Sequence, residues 1–234
     1  MITIILAGGL GERMKIDYPK SILKVKNIPM IVRSINTAIL SRSETIIIIL
    51  NEKTKKQVIS TIKKYVKNTN IFYIIQKEPL GKLDAILCCK PLLEELDPFE
   101  KILILNCNQP LISFYTLNNF LKWKLTKDVN CLSCKFNDPS GFPRLLRDKR
   151  YNFQKIKEEQ ECNNEELKIK FVDTGIYLFR NYTLLKNLTQ RNNLIDLINN
   201  QEVDVYILEN KYQDEFKPIN EIKELRNINE KFNL

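Results

Sequence analysis

The sequence predicts an α/β protein with a mostly parallel central sheet, helices on both faces, and a smaller mixed β layer. Three observations carry this reading. Short apolar runs of strand length alternate with longer amphipathic stretches through the first half of the chain. After about residue 125 the style changes to short β-like runs with few helices between them. The 234-residue chain is 44% hydrophobic and 28% charged, which suits one large α/β domain and not a disordered chain. We therefore expect a single domain, 1–234, made of two halves, 1–125 and 126–234.

The elements follow in order. Residues 2–6, Ile-Thr-Ile-Ile-Leu, read as a first buried strand. The run is short, lacks a basic leader and enters a glycine-rich loop, so it is not read as a signal peptide. Pro29 suits the first turn of a helix reaching about residue 41, with Ile31, Val32, Ile35, Ala38 and Ile39 on one face. Residues 45–50 form a second strand, 53–66 an amphipathic helix, 71–75 a third strand, 83–96 a helix and 101–106 a fourth strand. In the second half, strands are expected at 129–135, 144–146, 153–156, 173–179 and 203–208, and helices at 194–199 and 219–232. Parallel sheets bind ligands beyond the carboxyl ends of their strands. The loops after Leu6, Ile75 and Asn106 are therefore expected to converge.

Composition removes several kinds of chemistry. There is no histidine, which excludes Ser-His-Asp and Cys-His triads and imidazole acid–base work. Carboxylates, lysines and positioning remain. The net charge is +9, yet the lysines are spread out, often beside glutamate, and no segment interleaves basic and aromatic residues as a nucleic-acid groove does. Neither nucleic acid nor membrane is expected as a partner, and no run is long and apolar enough to span a bilayer. The cysteines are Cys88, Cys89, Cys107, Cys131, Cys134 and Cys162. Cys131 and Cys134 have CxxC spacing, but no second pair accompanies them, so reduced structural thiols in a cytoplasmic protein are expected.

The chemistry concentrates in the loop Leu6-Ala7-Gly8-Gly9-Leu10-Gly11-Glu12-Arg13-Met14, followed by Pro19-Lys20. Glycines let backbone N–H groups approach a phosphate. Arg13 offers a fork for phosphate oxygens and Lys20 a mobile point charge. The loop is neither a P-loop nor a dinucleotide fingerprint. By itself it also fits a plain glycine-rich strand-to-helix turn.

The loop resembles the signature of the nucleotidyltransferases with a GT-A/Rossmann-like fold, roughly L-A-A-G-x-G-x-R-M-x(4)-P-K. The chain is most similar to the uridyltransferase domain of the bacterial N-acetylglucosamine-1-phosphate uridyltransferases, through nearly its whole length. Gln76-Lys-Glu-Pro-Leu-Gly81 looks like the family's Q-x-x-x-L-G segment, and Ile104-Leu-Asn-Cys-Asn-Gln-Pro-Leu111 like the strand ending in Y-G-D-x-P-L. Asp138-Pro-Ser-Gly-Phe-Pro-Arg144 resembles D-P-x-G-Y-G-R, and Asp173-Thr-Gly175 resembles N-T-G.

The resemblance implies transfer of UMP from UTP to N-acetylglucosamine 1-phosphate, giving UDP-N-acetylglucosamine and pyrophosphate, with Mg²⁺ or Mn²⁺ as cofactor. It implies catalytic roles for Arg13 and Lys20. Nucleotide contacts would come from Leu6, Ala7, Gly8, Gly9, Gly11, Gln76, Gly81, Lys82 and Asn106, and sugar contacts from Asn108, Gly141, Glu158 and Asp173. Asn108 and Asn220 would face the metal.

This sequence departs from the pattern at telling places. Asn108 replaces the family's metal-binding aspartate, leaving two neutral candidates for a hard cation that prefers carboxylate oxygen. Asp17 and Asp84 are nearby acidic residues whose spacing argues for neither as a substitute. Lys82 stands where threonine is usual, and reads as a new phosphate contact or as a surface lysine. Asp173 stands where asparagine is usual. Glu158 reads as a sugar ligand or a solvated acid, and Asn108 as a metal neighbour or a turn-shaping cap. Two other functions fit the same opening loop: a cytidylyltransferase with another phosphorylated substrate, and a nucleotide-sugar binding protein impaired in catalysis.

Overall fold

The computed structural model describes residues 1–14, 18–67, 69–123, 126–188 and 193–231. In chain order the elements are β1 (Ile2–Leu6), a small hairpin of β2 (Lys24–Val25) and β3 (Ile28–Pro29), α1 (Met30–Leu40), β4 (Thr45–Asn51), α2 (Lys55–Tyr65), β5 (Ile71–Gln76), α3 (Lys82–Leu87), α4 (Lys90–Glu94) and β6 (Lys101–Asn106). There follow α5 (Phe114–Lys122), β7 (Val129–Lys135), β8 (Arg144–Arg147), β9 (Phe153–Lys157), α6 (Asn164–Leu167), β10 (Phe171–Arg180), α7 (Asn181–Asn187), α8 (Leu194–Asn199), β11 (Val203–Leu208), α9 (Gln213–Phe216) and α10 (Ile222–Lys231).

Among the described residues the main sheet has the strand order β11-β7-β10-β6-β1-β4-β5. β5, β4, β1 and β6 are mutually parallel, β11 is parallel to β7, and β10 alone on this path runs antiparallel to both its neighbours. The second-half strands thus continue the first sheet. The β8–β9 hairpin departs from it, joined to β10 through the pairing of Val172 with Arg144.

Burial on both faces explains why the central strands are nearly unbroken apolar runs. Along β4 successive side chains point to opposite faces. Ile46, Ile48 and Leu50 pack with Met30, Ile31, Ile35, Val58 and Ile62 of α1 and α2. Ile47 and Ile49 pack on the other face with Leu83, Ile86 and Leu93 of α3 and α4. All of these β4 residues are fully buried, and each isoleucine contributes about 1.5–3 kcal/mol by leaving water.

Two helices differ from the sequence expectation. The helix expected over 83–96 is two helices, α3 and α4, separated at Cys88 and Cys89. Pro91 falls in the first turn of α4; without an N–H it cannot bond back to Leu87, and a proline is tolerated at a helix start but not inside. The helix expected over 219–232 begins at Ile222, because Glu224 Oε2 accepts from the N–H groups of Asn220 (2.6 Å) and Glu221 (2.8 Å) and caps the chain there. Phe232 and Asp17 lie outside the described residues. No helix of the described residues is long and apolar enough to cross a membrane.

Candidate active site

The loops after β1, β5 and β6 meet at the carboxyl ends of the parallel strands, as the topology requires. They enclose a pocket of about 250 Å³ lined by Leu6, Ala7, Gly8, Gly9, Lys20, Gln76, Gly81, Lys82, Asn106 and Asn108, together with Ser21, Met30, Pro79, Ala85 and Cys107. Main-chain bonds set the floor: Ala7 N–H donates to Ile49 O (3.0 Å) and Cys107 N–H to Leu6 O (3.1 Å). These bonds fix where the chain leaves the sheet.

At one end stand three polar side chains. Lys20 Nζ donates to Asn220 Oδ1 at 2.9 Å, and Asn108 Nδ2 donates to the same oxygen at 3.0 Å. Ile219 N–H donates to Asn108 O (2.8 Å), tying the C-terminal segment to the β6 loop. Burial lowers the pKa of Lys20; Cys107 and Glu224 oppose this and the charge of Arg13 adds to it. Arg13 sits exposed on a short 3₁₀ turn, Glu12–Met14, outside the pocket lining but near enough to repel Lys20. Gly11 lies against the Cβ of Lys20.

Beside Lys82, outside the pocket lining, stand two carboxylic side chains, Asp173 and Glu158. Asp173 is 5% exposed. Tyr177 OH donates to its Oδ2, and Gly175 N–H to its Oδ1 at 3.1 Å. The ladder between β10 and β7 slips between Asp173 and Ile176, a bulge that turns Asp173 inward. Gly175 occupies the bulge at φ +74°, and a Cβ there would stand 2.6 Å from Asn106 Nδ2, so both conformation and space demand glycine. Burial pushes the Asp173 carboxyl above the ordinary range, opposed by the Tyr177 and Gly175 bonds and by the charge of Lys82. Burial raises Glu158 as well, opposed by Lys82 and reinforced by Asp173. Lys82, exposed at the start of α3, thus faces both acids.

Several candidates stand otherwise than the sequence reading implied. Gly141 does not line the pocket, nor do Gly11, Arg13, Glu158, Asp173 and Asn220, and the Gly141 N–H donates to Glu159 Oε2 (2.9 Å). Asp84, considered as an acidic metal neighbour, instead accepts from Gln76 Nε2 at 2.6 Å. Asn106 points across to β10, donating to Gln109 Oε1 (3.1 Å) and Gly175 O (3.0 Å).

The sequence reading missed two supports. Gln109, 5% exposed, donates to Thr174 O (2.8 Å) and Phe216 O (2.9 Å) and so holds the β6 loop to β10. Arg144, 2% exposed, donates to Pro139 O (2.8 Å) and pairs with Glu159 (3.0 Å), fixing the loop that carries Gly141. Both lie inside segments that carried the resemblance, but a buried arginine is not legible from a position otherwise expected to be solvated. All six cysteines are free. Cys131 and Cys134 lie buried on β7.

The donor set does not fit a divalent ion held by the protein. Asn220 Oδ1 already accepts from Lys20 and Asn108. Among the described residues no group of three acidic or thiol side chains could hold a metal. A cationic amine and two neutral amides suit an anion better than a hard cation.

The model of the nucleotidyl transferase family matches residues 2–214. The chain belongs to that family. A probable UDP-N-acetylglucosamine pyrophosphorylase of Acanthamoeba polyphaga mimivirus is 32% identical over 96% of this nucleotidyltransferase and 93% of its own length. The bifunctional protein GlmU of Caldanaerobacter subterraneus is 33% identical over 76% of this chain, and the GlmU of Thermosipho melanesiensis 30% identical over all of it. The matches span 37% and 49% of those bifunctional proteins. Among solved structures, HddC from Yersinia pseudotuberculosis superposes with a TM-score of 0.75 at 19% identity, covering 99% of both chains. A putative glucose-1-phosphate thymidylyltransferase from Bacillus anthracis gives 0.74 at 17% identity, covering 98% and 94%. At those identities the likeness establishes the fold. The chain is a nucleotidyltransferase.

Proposed function

We propose that this nucleotidyltransferase joins UMP from UTP to N-acetylglucosamine 1-phosphate, releasing pyrophosphate. The observation that carries the reading is the convergence of the glycine loop, Gln76–Gly81, Lys20 and Lys82 on one pocket at the carboxyl end of the parallel strands, with Glu158 and Asp173 facing Lys82. A phosphate oxygen of the sugar 1-phosphate attacks the α-phosphorus of UTP in line. One P–O bond forms, the bond to the bridging oxygen breaks, and pyrophosphate leaves. The nucleophile is already anionic, so no base is needed, in keeping with a site that has no histidine. Catalysis is then orientation and charge neutralisation.

Lys20 and Arg13 hold the phosphates and the leaving pyrophosphate in this scheme. Leu6, Ala7, Gly8, Gly9 and Gly11 shape the backbone cradle, Gln76 and Gly81 read the base, and Asn106 braces the cradle against β10. Lys82 meets the incoming phosphate, while Gly141, Glu158 and Asp173 address the sugar. Asn108 and Asn220 orient Lys20. Mg²⁺ or Mn²⁺ belongs, on this reading, to the metal–UTP complex that is the substrate.

The test is pyrophosphate release from UTP with each sugar 1-phosphate in turn, with Mg²⁺ and with Mn²⁺. Release that requires N-acetylglucosamine 1-phosphate is expected, and its absence from folded protein rejects the proposal. Release from CTP in its place points to the cytidylyltransferase reading. The double occupation of Asn220 Oδ1 favours one further reading, a nucleotide-sugar binding protein without turnover. Calorimetric binding of UDP-N-acetylglucosamine alongside zero turnover would establish it.

A further inference from the structure

We propose that Asp84 locks the amide of Gln76 so that the pocket presents a hydrogen-bond acceptor to the nucleobase. The base it selects pairs a ring N–H with a neighbouring carbonyl, as uracil, thymine and guanine do. The inference rests on the nucleotide reading of this pocket and specifies how the base is chosen.

Gln76 ends β5 and is 3% exposed. Its Nε2 donates to Asp84 Oδ2 at 2.6 Å and to Gly81 O at 3.2 Å, which uses both amide hydrogens. A carboxylate and a peptide carbonyl only accept. If the amide turned over, Oε1 would confront two acceptor oxygens and Nε2 would lose both partners. A charge-assisted bond is the stronger kind, so Asp84 carries most of this preference.

The lock leaves Oε1 as the only free polar atom of the amide. Among the described residues it accepts from nothing, and it lies 3.0 Å from where a Cβ on Gly8 would stand. Glycine at position 8 therefore keeps open the approach to that oxygen. Gly8, Gln76 and Gly81 line the same pocket. The Gly81 N–H likewise has no partner among the described residues. An acceptor beside a donor complements a ring N–H beside a carbonyl. Cytosine and adenine present a lone pair at the corresponding ring nitrogen and an amino group beside it, and so meet acceptor with acceptor. The spacing is compact in sequence: Gln76, Gly81 five residues on, and Asp84 one helical turn later.

Asp84 touches no substrate here; it is a positioning residue. The experiment is calorimetric binding of UTP and of CTP, without sugar phosphate, to the wild type and to Asp84→Asn. An asparagine offers both a donor and an acceptor, so the Gln76 amide is no longer fixed. UTP is expected to bind the wild type more tightly than CTP, and the variant is expected to lose about tenfold of that preference, the scale of one charge-assisted bond. Affinity for inorganic pyrophosphate, which needs only the phosphate end, is expected to stay the same in both; a parallel loss there would mark general damage and overturn the assignment. An unchanged UTP-to-CTP ratio in a folded variant overturns the role of Asp84 while leaving the nucleotide reading intact. No binding of either nucleotide by the folded wild type overturns the nucleotide reading itself. Should Asp84→Asn fail to fold, Asp84→Ser poses the same question, since a hydroxyl also donates or accepts.

Discussion

At the β1 end of the pocket a lysine stands among neutral amides: Lys20 bonds Asn220, which also receives Asn108. At the β10 end a lysine stands among acids: Lys82 faces Glu158 and Asp173. The first arrangement holds a partly buried positive charge that Glu224 offsets only in part; its burial costs desolvation, and a polyphosphate would relieve that cost. The second brings opposite charges together before any ligand arrives; Asp173 is buried with both oxygens already accepting bonds, while Glu158 is only half-buried. The carboxyl end of the parallel strands thus carries an anion-hungry end and a self-balanced end. The difference follows from single residues: the amide of Asn108 on the Lys20 side, and Lys82 placed against Glu158 and Asp173.

The largest expected effect comes from removing the partly buried cation. Lys20→Ala should lower kcat/KM by about 10²–10³-fold, the scale of losing one preorganised group that meets developing charge, measured as pyrophosphate release. It should leave Asn220 Oδ1 accepting from Asn108 alone. A loss confined to a few-fold would mean that the two ends do not divide the charge as described.

A smaller effect should follow from making the first end resemble the second. Asn108→Asp removes the donor to Asn220 and places a carboxylate beside Lys20. The nucleotide-free protein should then bind Mn²⁺ about tenfold more tightly than the wild type, as expected when a hard cation gains a carboxylate ligand. Calorimetry with Mn²⁺ alone reads this directly. Equal affinities would show that residue 108 does not govern metal preference.

How much of this was legible in the sequence depends on what sets each feature. The first-half strands and the cradle were legible, because apolar runs and glycines report local demands: burial on both faces for residues 45–50, and close backbone approach at Gly8. The break between α3 and α4 was legible in principle from Pro91. The bond from Gln76 to Asp84 was hidden, because Asp84 looks like any first-turn acid until the strand end is seen above it. Gln109 and Arg144 were hidden for a related reason. Each is a polar side chain whose burial is decided by how loops fold around it, the segment near Phe216 for Gln109 and the preceding loop at Pro139 together with Glu159 for Arg144. The doubled use of Asn220 Oδ1 joins residues 20, 108 and 220, which no local pattern connects.

The smallest expected effect tests the self-balanced end through pH. Burial holds the Asp173 carboxyl above its ordinary range in the folded protein, with Lys82 only partly opposing. A carboxyl whose folded pKa is raised binds its proton more tightly when folded. Its contribution to stability is therefore fully present below the unfolded value, about 3.9, and is lost as pH rises through the raised folded value. Asp173→Asn has no such proton to lose. The substitution also disturbs the bonds from Tyr177 and Gly175, because an amide has one accepting oxygen where the carboxylate had two. That cost does not vary with pH, so the decisive quantity is the slope and not the offset. In urea denaturation the variant should gain on the wild type as pH rises from the acid side, and the difference should level off above the raised value. Curves that stay parallel across that window would mean that Lys82 and the hydrogen bonds cancel the burial of Asp173 fully.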